Sequence, residues 1–168
     1  MNSSKLNDWV QGVGLFALVA SLIFVGIEVR QNSIATRSAT NASVKDSFRE
    51  FNLVLASSPE LAKAVTENAD NPAGAPPQAK FQMLAMWRAL FHTWSNVHRQ
   101  HLNGTLDPAL YDAVVQEVLM NSGKARGRET VDAAERRSRH MRWAWESERF
   151  IFNPDFQEFI DELLGLTR

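Results

Sequence analysis

Three of the four histidines fall on one predicted helix, where their spacing could serve metal binding. His98 and His101 are three residues apart and share a helical face, and His92 lies two turns earlier. A third ligand from another helix could complete a zinc site. However, the sequence has no H-E-x-x-H motif and no E-x-x-H pair of the di-iron bundle kind. The helix dipole also favours cations near a helix C-terminus, so we expect no metal and no cofactor.

Other catalytic patterns are absent from the sequence. The chain has no Cys, which excludes disulfides, thiolate metal sites and Cys nucleophiles. It also has no G-x-S-x-G elbow and no P-loop. The carboxylate pairs Glu146/Glu148 and Asp161/Glu162 should point apart on helices, and we interpret them as parts of solvated faces. These features favour a non-catalytic protein over an enzyme.

Basic residues are densest between positions 124 and 142. The cluster consists of Lys124, Arg126, Arg128, Arg136, Arg137, Arg139 and Arg142. It could contact lipid headgroups, an acidic protein or RNA. Acidic residues interleave with it, and i,i+4 pairing accounts for most of it. With a formal net charge of -1, the chain as a whole disfavours nucleic acid as a partner.

Four tryptophans raise the alternative of a ligand pocket. Trp87, Trp94, Trp143 and Trp145 could line an apolar cavity in a helical bundle, as in a small-ligand sensor or an enzyme. Core packing is the simpler account of a chain with five Trp and ten Phe. A large cavity beside Trp94 with converging polar groups would favour the ligand hypothesis. A filled core at that place would favour an interaction module.

The N-terminal part contains one uncharged, apolar segment. No residue from Trp9 to Ile27 is charged, and as a helix this segment spans roughly 28 Å, close to the thickness of a hydrocarbon core. Its apolar residues occupy all sides of the helix, as lipid requires. A buried helix of a soluble core and a cleaved signal peptide are the rivals. The nearly neutral start and the missing small-x-small site favour a retained membrane anchor.

Two further features of this segment bear on topology and partners. Arg30, Arg37 and Lys45 follow the segment, whereas only Lys5 precedes it, which predicts a cytoplasmic C-terminal domain. Gly14, Ala17 and Ser21 share one face, where another transmembrane helix could approach closely.

The rest of the chain predicts helices only. No Pro or Gly occurs between Ile27 and Ser58, so the first helix could continue to about residue 56, or residues 31–43 could form a hinge. The apolar residues Val44, Phe48, Phe51 and Leu55 mark one face that should dock on the bundle.

Five later helices follow from cap signals and periodicity. Ser58-Pro59, Asp107-Pro108 and Asn153-Pro154 each place a capping side chain before Pro at the first helical position. A broad apolar face predicts a central helix over about 78–102. Thr130 should cap another helix, and Gly165 should end the last one.

Several stretches in this order resemble a bacterial family of uncharacterised, single-pass membrane-anchored helical proteins. They are SLIFVGIEVRQNSIATRSAT, SFREFNLVLASSPELAKA and WESERFIFNPDFQEFIDELL. The shared patterns are a V-x-[LV]-R-Q-N junction, an S/D-P-E-L-A turn and R-x-x-F-x-P-x-F near the C-terminus. The resemblance implies a bacterial origin, the anchor and the fold, and it implies no functional residues.

The sequence therefore predicts an all-α protein. An N-terminal transmembrane helix (residues 1–30) continues into a long helix and a bundle of about five helices (residues 31–168). We expect a single-pass protein of the bacterial inner membrane, with membrane lipid and either a second copy or another membrane protein as partners. The leading hypothesis is a non-catalytic module for protein interaction or homo-oligomerisation.

Overall fold

The computed structural model describes residues 3–125 and 130–166, and the side chains from residue 9 onward within the first of these ranges. The described residues form six α-helices and two short 3-10 helices, without a strand. The α-helices are α1 (Ser3–Ser57), α2 (Pro59–Glu67), α3 (Pro77–Leu102), α4 (Pro108–Asn121), α5 (Val131–Glu148) and α6 (Pro154–Leu164). The predicted all-α fold, a long N-terminal helix followed by a bundle, is confirmed.

The chain divides into two compact units, Met1–Ala39 and Thr40–Arg168. Residues 31–43 are helical, including the Ser/Thr/Asn-rich stretch for which the sequence left a hinge open. The unit boundary falls after residue 39. The sequence predicted a different boundary, between residues 30 and 31, where the transmembrane anchor ends and the bundle domain begins. This boundary stays a prediction.

The cap signals are confirmed in atomic detail. The side chains of Ser58, Asp107 and Asn153 each accept a hydrogen bond from a backbone N–H in the first turn of the helix that follows. Thr130 caps α5 in the same way, through the N–H of Ala133. Gly165 ends α6 with a φ of 68°, a left-handed conformation that Gly adopts without a Cβ clash. Local chemistry therefore fixes where these four helices begin.

Helix α3 is the centre of the bundle, because α2, α4 and α5 all pack against it. Its buried residues follow helical spacing: Met83, Trp87, Leu90, Phe91, Trp94 and Val97. The predicted docking face at the end of α1 also belongs to this core. Val44 is fully buried, and Phe48 and Phe51 pack against the main cluster.

The link between α5 and α6 separates two neighbouring phenylalanines. A 3-10 helix covers Arg149–Ile151. Phe152 is extended and buried, whereas Phe150 is 75% exposed. Gln157, which lies opposite the apolar face of α6, is half-buried rather than free, since its amide donates to the Phe152 carbonyl at 2.7 Å. The link therefore turns one ring into the core and leaves the other in solvent.

Candidate functional site

A pocket of about 350 Å³ lies between α2, α3 and α5. Its wall is largely apolar and includes Val65, Ala69, Met86, Trp87 and Ala133. We call it the His140 pocket, because His140 of α5 also lines it. A wall of this kind removes water from an apolar guest and leaves recognition to the few polar groups present.

The hydrogen bond between Trp87 and His140 fixes the protonation of the histidine. Trp87 Nε1–H donates to Nδ1 of His140 at 3.3 Å. Because an indole nitrogen can only donate, Nδ1 must carry the lone pair, and a neutral ring then holds its proton on Nε2. His140 is 4% exposed. Burial lowers its pKa, and the nearby Asn68 backbone opposes this effect.

The second nitrogen of His140 lacks a well-formed hydrogen bond. No group among the described residues accepts from Nε2 within hydrogen-bond geometry, although the Asn68 backbone is close enough to favour the charged ring. Leaving a buried donor unsatisfied costs about 1–3 kcal/mol. The ring of His140 thus lines the pocket, while its Nε2 is buried near the Asn68 backbone.

The charged residues at the His140 pocket are arginines. Arg136 and Arg137 of α5 line it. Arg136 forms an ion pair with Asp70 at 3.0 Å, and Arg137 donates from its NH2 group to the Met120 carbonyl at 2.7 Å. Both arginines are therefore held by partners within the bundle.

The four tryptophans of the ligand hypothesis do not face one cavity. Trp94 and Trp145 are 1% and 0% exposed and surround Phe91, with ring centroids at 5.8 and 5.2 Å from it. Trp143 is half-buried against the main core and against a smaller cluster of Ala64, Ala75 and Met83. Trp87 lines the His140 pocket. The core beside Trp94 is thus filled by rings rather than by a large cavity. The assignment of these tryptophans as ligand-binding residues stays a prediction.

Two carboxylates that the sequence assigned to solvated faces are in fact buried. Glu148 is 5% exposed and accepts two hydrogen bonds from Arg88, at 2.7 and 2.8 Å. The hydrogen bond with Glu148, followed by its charge, raises the pKa of Arg88. This interpretation was wrong because i,i+4 reasoning considers one helix alone, and Arg88 comes from α3.

Asp161 is the second buried carboxylate. It accepts from Trp145 Nε1–H at 2.8 Å and pairs with Arg149. Both carboxylates have structural partners, which leaves neither free as an acid or base. Glu148 therefore links α5 to α3, and Asp161 links α6 to α5.

A third polar contact involves Glu117 of α4. Burial raises the pKa of Glu117, and the nearby side chain of Trp94 opposes that rise. Glu117 of α4 therefore lies near Trp94 of α3, whose Nε1–H makes no hydrogen bond of good geometry with the described residues.

The predicted metal candidates are held by aromatic contacts. His98 Nδ1 lies 3.0 Å from the Tyr111 hydroxyl, and its ring stacks on Phe159. His101 stacks on Tyr111 with ring centroids 3.6 Å apart. Burial lowers the pKa of His98, His101 adds to this effect, and Asp155 opposes it. Across residues 3–125 and 130–166, no group of three His, Cys, Asp or Glu side chains could hold a metal ion.

The sequence analysis looked for a site among the histidines of α3 and missed His140 of α5. A pattern in the sequence of α5 could have indicated it. His140 and Met141 are followed four residues later by Ala144 and Trp145, and all four are buried. This i,i+4 repeat places His140 on the apolar face of its helix. Its tryptophan partner is 53 positions away in the sequence and could not be found from spacing.

The remaining members of the basic cluster cap or bridge helices. Lys124 and Arg142 donate to the carbonyls of Glu162 and Leu164 at the end of α6. Arg139 pairs with Asp70. Arg126 and Arg128 lie outside the described residues. The described members therefore have structural partners within the bundle.

In the N-terminal unit, every described side chain from Trp9 to Ala39 is exposed. This includes Gly14, Ala17 and Ser21, and a Cβ added at Gly14 would meet no atom within 4 Å. In the described part of the chain, one helix, from Trp9 to Ser57, is long and apolar enough to cross a membrane, and its most apolar stretch is unburied. The side chain of Lys5, on which the predicted orientation depends, lies outside the described residues.

The bundle also exposes an apolar groove of about 280 Å³. Phe51 and Val54 of α1, Leu61 of α2, and Phe81 and Met86 of α3 line it. Phe81 and Val54 are well exposed there.

Comparison with family models, curated proteins and solved structures finds no match to this chain.

Proposed function

We propose that this chain is a single-pass membrane protein that presents a rigid, non-catalytic helical bundle for protein interaction or homo-oligomerisation. One observation carries the proposal: the uncharged stretch from Trp9 to Ile27 is apolar on all sides and exposed on all sides. Apolar surface on that scale is rarely left in water. The filled aromatic core and the structurally paired carboxylates support a rigid module.

The proposal places the protein in the bacterial inner membrane, with the bundle in the cytoplasm. Its supports are the excess of basic residues after the segment and the resemblance to the bacterial anchored family. A periplasm-specific reporter fused to the C-terminus should stay inactive. An active reporter would reverse this orientation.

The anchor has a direct biochemical test. The full chain should remain with membranes after an alkaline carbonate wash, because lipid covers the apolar stretch. A fragment that begins at Ser33 should be soluble and helical. Recovery of the full chain in the soluble fraction without detergent would refute the anchor.

The chain has no Cys, so single cysteines can test whether the small-residue face joins two copies. Ser21→Cys lies on that face, and Val19→Cys lies on the opposite side of the helix. In native membranes, oxidation should link Ser21→Cys chains into dimers and leave Val19→Cys chains monomeric. Equal linkage would mean random collision. No linkage in either variant would leave a different membrane protein as the partner.

A further inference from the structure

An open apolar furrow runs between α1 and α3 on the surface of the bundle. The apolar groove of about 280 Å³ continues into a second hollow of about 350 Å³, because Phe51, Val54 and Ala89 line both. We call this combined surface the α1–α3 furrow. Ala85 and Ala89 are exposed within it, and their small side chains leave room above α3. Exposed apolar surface with a polar rim is typical of a contact site.

A projecting ring borders the furrow. Phe81 of α3 lines the groove, yet it is 73% exposed. The bundle therefore places an exposed ring directly beside an apolar hollow. A two-fold symmetric contact brings the same patch of two copies together, so each copy must supply both a knob and a hole. Phe81 and the hollow beside it meet that requirement.

The charges at the furrow are opposite on its two sides. Among the described residues that line it, Glu50 of α1 alone is charged, and it is exposed. Lys80 directly precedes Phe81 on α3. In the part of the chain that the structure describes, neither Glu50 nor Lys80 forms an ion pair. If Phe81 enters the furrow of a second copy, Lys80 comes towards the Glu50 of that copy, and the two-fold axis makes this pair twice.

The same charge pattern disfavours a lipid surface as the occupant. Anionic headgroups attract clusters of Lys and Arg, whereas the charge that lines the furrow is acidic. A second copy has a further advantage, because two chains anchored in one membrane share an orientation and a high effective concentration. A small interface is then sufficient to hold them together.

We propose that the α1–α3 furrow joins two copies of this chain in a two-fold symmetric dimer. This inference rests on the proposed function and names its partner and its surface. Phe81 of each copy fills the hollow beside Val54 and Ala85 of the other. Lys80 of each copy pairs with Glu50 of the other.

Single cysteines in the full chain test this contact in native membranes, since the chain has no Cys. Ala85→Cys lies in the furrow, and Ala113→Cys lies at an exposed position of α4 outside it. Oxidation should link Ala85→Cys chains into dimers about tenfold faster than Ala113→Cys chains, because the dimer raises the local concentration of the first thiol alone.

Two exposed phenylalanines give a matched pair of variants in the Ala85→Cys chain. Phe81→Ala removes the knob and should slow the linkage by about tenfold. Phe150→Ala removes a ring that is 75% exposed and lies outside the furrow, so the linkage should stay unchanged. Because both rings are exposed, neither change should disturb the fold of the bundle.

A charge exchange tests the predicted ion pair in the same chain. Glu50→Lys places two like charges together and should slow the linkage by about threefold. Addition of Lys80→Glu to that variant restores opposite charges and should restore the linkage. A double variant as slow as Glu50→Lys would overturn the proposed pairing.

Failure of the furrow and failure of the proposed function give different results. Linkage at Ser21→Cys without linkage at Ala85→Cys would keep the oligomer and overturn the furrow as its interface. Protection of Ala85→Cys from a water-soluble maleimide without linkage would mean that lipid or another protein covers the furrow, which also overturns this inference. Equal linkage at Ala85→Cys and Ala113→Cys, or unchanged linkage in Phe81→Ala, would do the same. The alkaline carbonate wash reports on the anchor separately.

Discussion

The two units use the same kinds of apolar side chain in opposite environments. Phe16 and Phe24 of the N-terminal unit are 77% and 66% exposed, whereas Phe91 and Phe156 of the bundle are fully buried. The bundle supplies its own cover, because each buried ring lies against several others. The described side chains of the N-terminal unit, from Trp9 to Ala39, are exposed, and in our proposal lipid covers the apolar ones. Under this proposal, apolar side chains stabilise the fold of the bundle and anchor the N-terminal unit in the membrane.

The largest expected effect on stability comes from the buried ring of Phe156. Phe156→Ala should lower the free energy of unfolding by about 3–5 kcal/mol, because it opens a cavity beside Trp145 and Phe152. Denaturant unfolding of the fragment that begins at Ser33 measures this loss.

Two phenylalanines serve as controls for that variant. Phe150→Ala, six residues earlier in the same fragment, should leave stability nearly unchanged, since its ring is exposed. In the full chain, Phe24→Ala should not shift the unfolding of the bundle. A loss at Phe150 as large as that at Phe156 would break the distinction between covered and uncovered rings.

The pair Arg88–Glu148 should give the next largest effect, with an asymmetry between its two partners. Arg88→Gln leaves a carboxylate buried without its cation and should cost about 2–4 kcal/mol. Glu148→Gln leaves a half-exposed arginine that water can solvate, so its cost should be about 1–2 kcal/mol.

Glu146→Gln is the matched control, since Glu146 lies on the exposed side of the same helix. The midpoints of urea unfolding for the three variants give the comparison. Equal costs for Glu146→Gln and Glu148→Gln would restore the solvated-face interpretation of both carboxylates.

A smaller effect should appear as a dependence of stability on pH. Burial lowers the pKa of both His140 and His98 in the folded chain from an unfolded value of about 6.5. The unfolded chain then binds more protons below that pH, so stability is full above about pH 6.5 and declines as the pH falls.

Unfolding midpoints at pH 7 and pH 5 measure this decline. His140→Gln should reduce the difference between the two midpoints, whereas His92→Gln, at an exposed ring, should not. A wild-type bundle that becomes more stable at pH 5 would contradict the sign.

Local signals in the sequence predicted the helices well. Ser58, Asp107, Thr130 and Asn153 act on amides two or three residues away, so the sequence contains both the cap and its target. The apolar periodicity of α3 likewise predicted which face of that helix is buried, because the whole pattern lies within one helix.

The polar contacts of the candidate site could not be predicted in the same way. Trp87 and His140 are 53 positions apart, and Arg88 and Glu148 are 60 apart. Their meeting depends on how α3 packs against α5, which periodicity does not determine. Spacing alone therefore favoured His98 and His101 as the chemically interesting pair and passed over His140.

The most direct measurement of the central claim is the accessibility of residue 18 in broken native membranes. A single cysteine in Leu18→Cys, at the middle of the apolar stretch, is treated with a water-soluble maleimide and compared with Ala62→Cys on the exposed side of α2. Lipid around the N-terminal helix predicts that Ala62→Cys reacts fully, while Leu18→Cys reacts only after denaturation in detergent. Equal labelling of both variants in intact bilayers would show that water covers the N-terminal helix and would contradict the account.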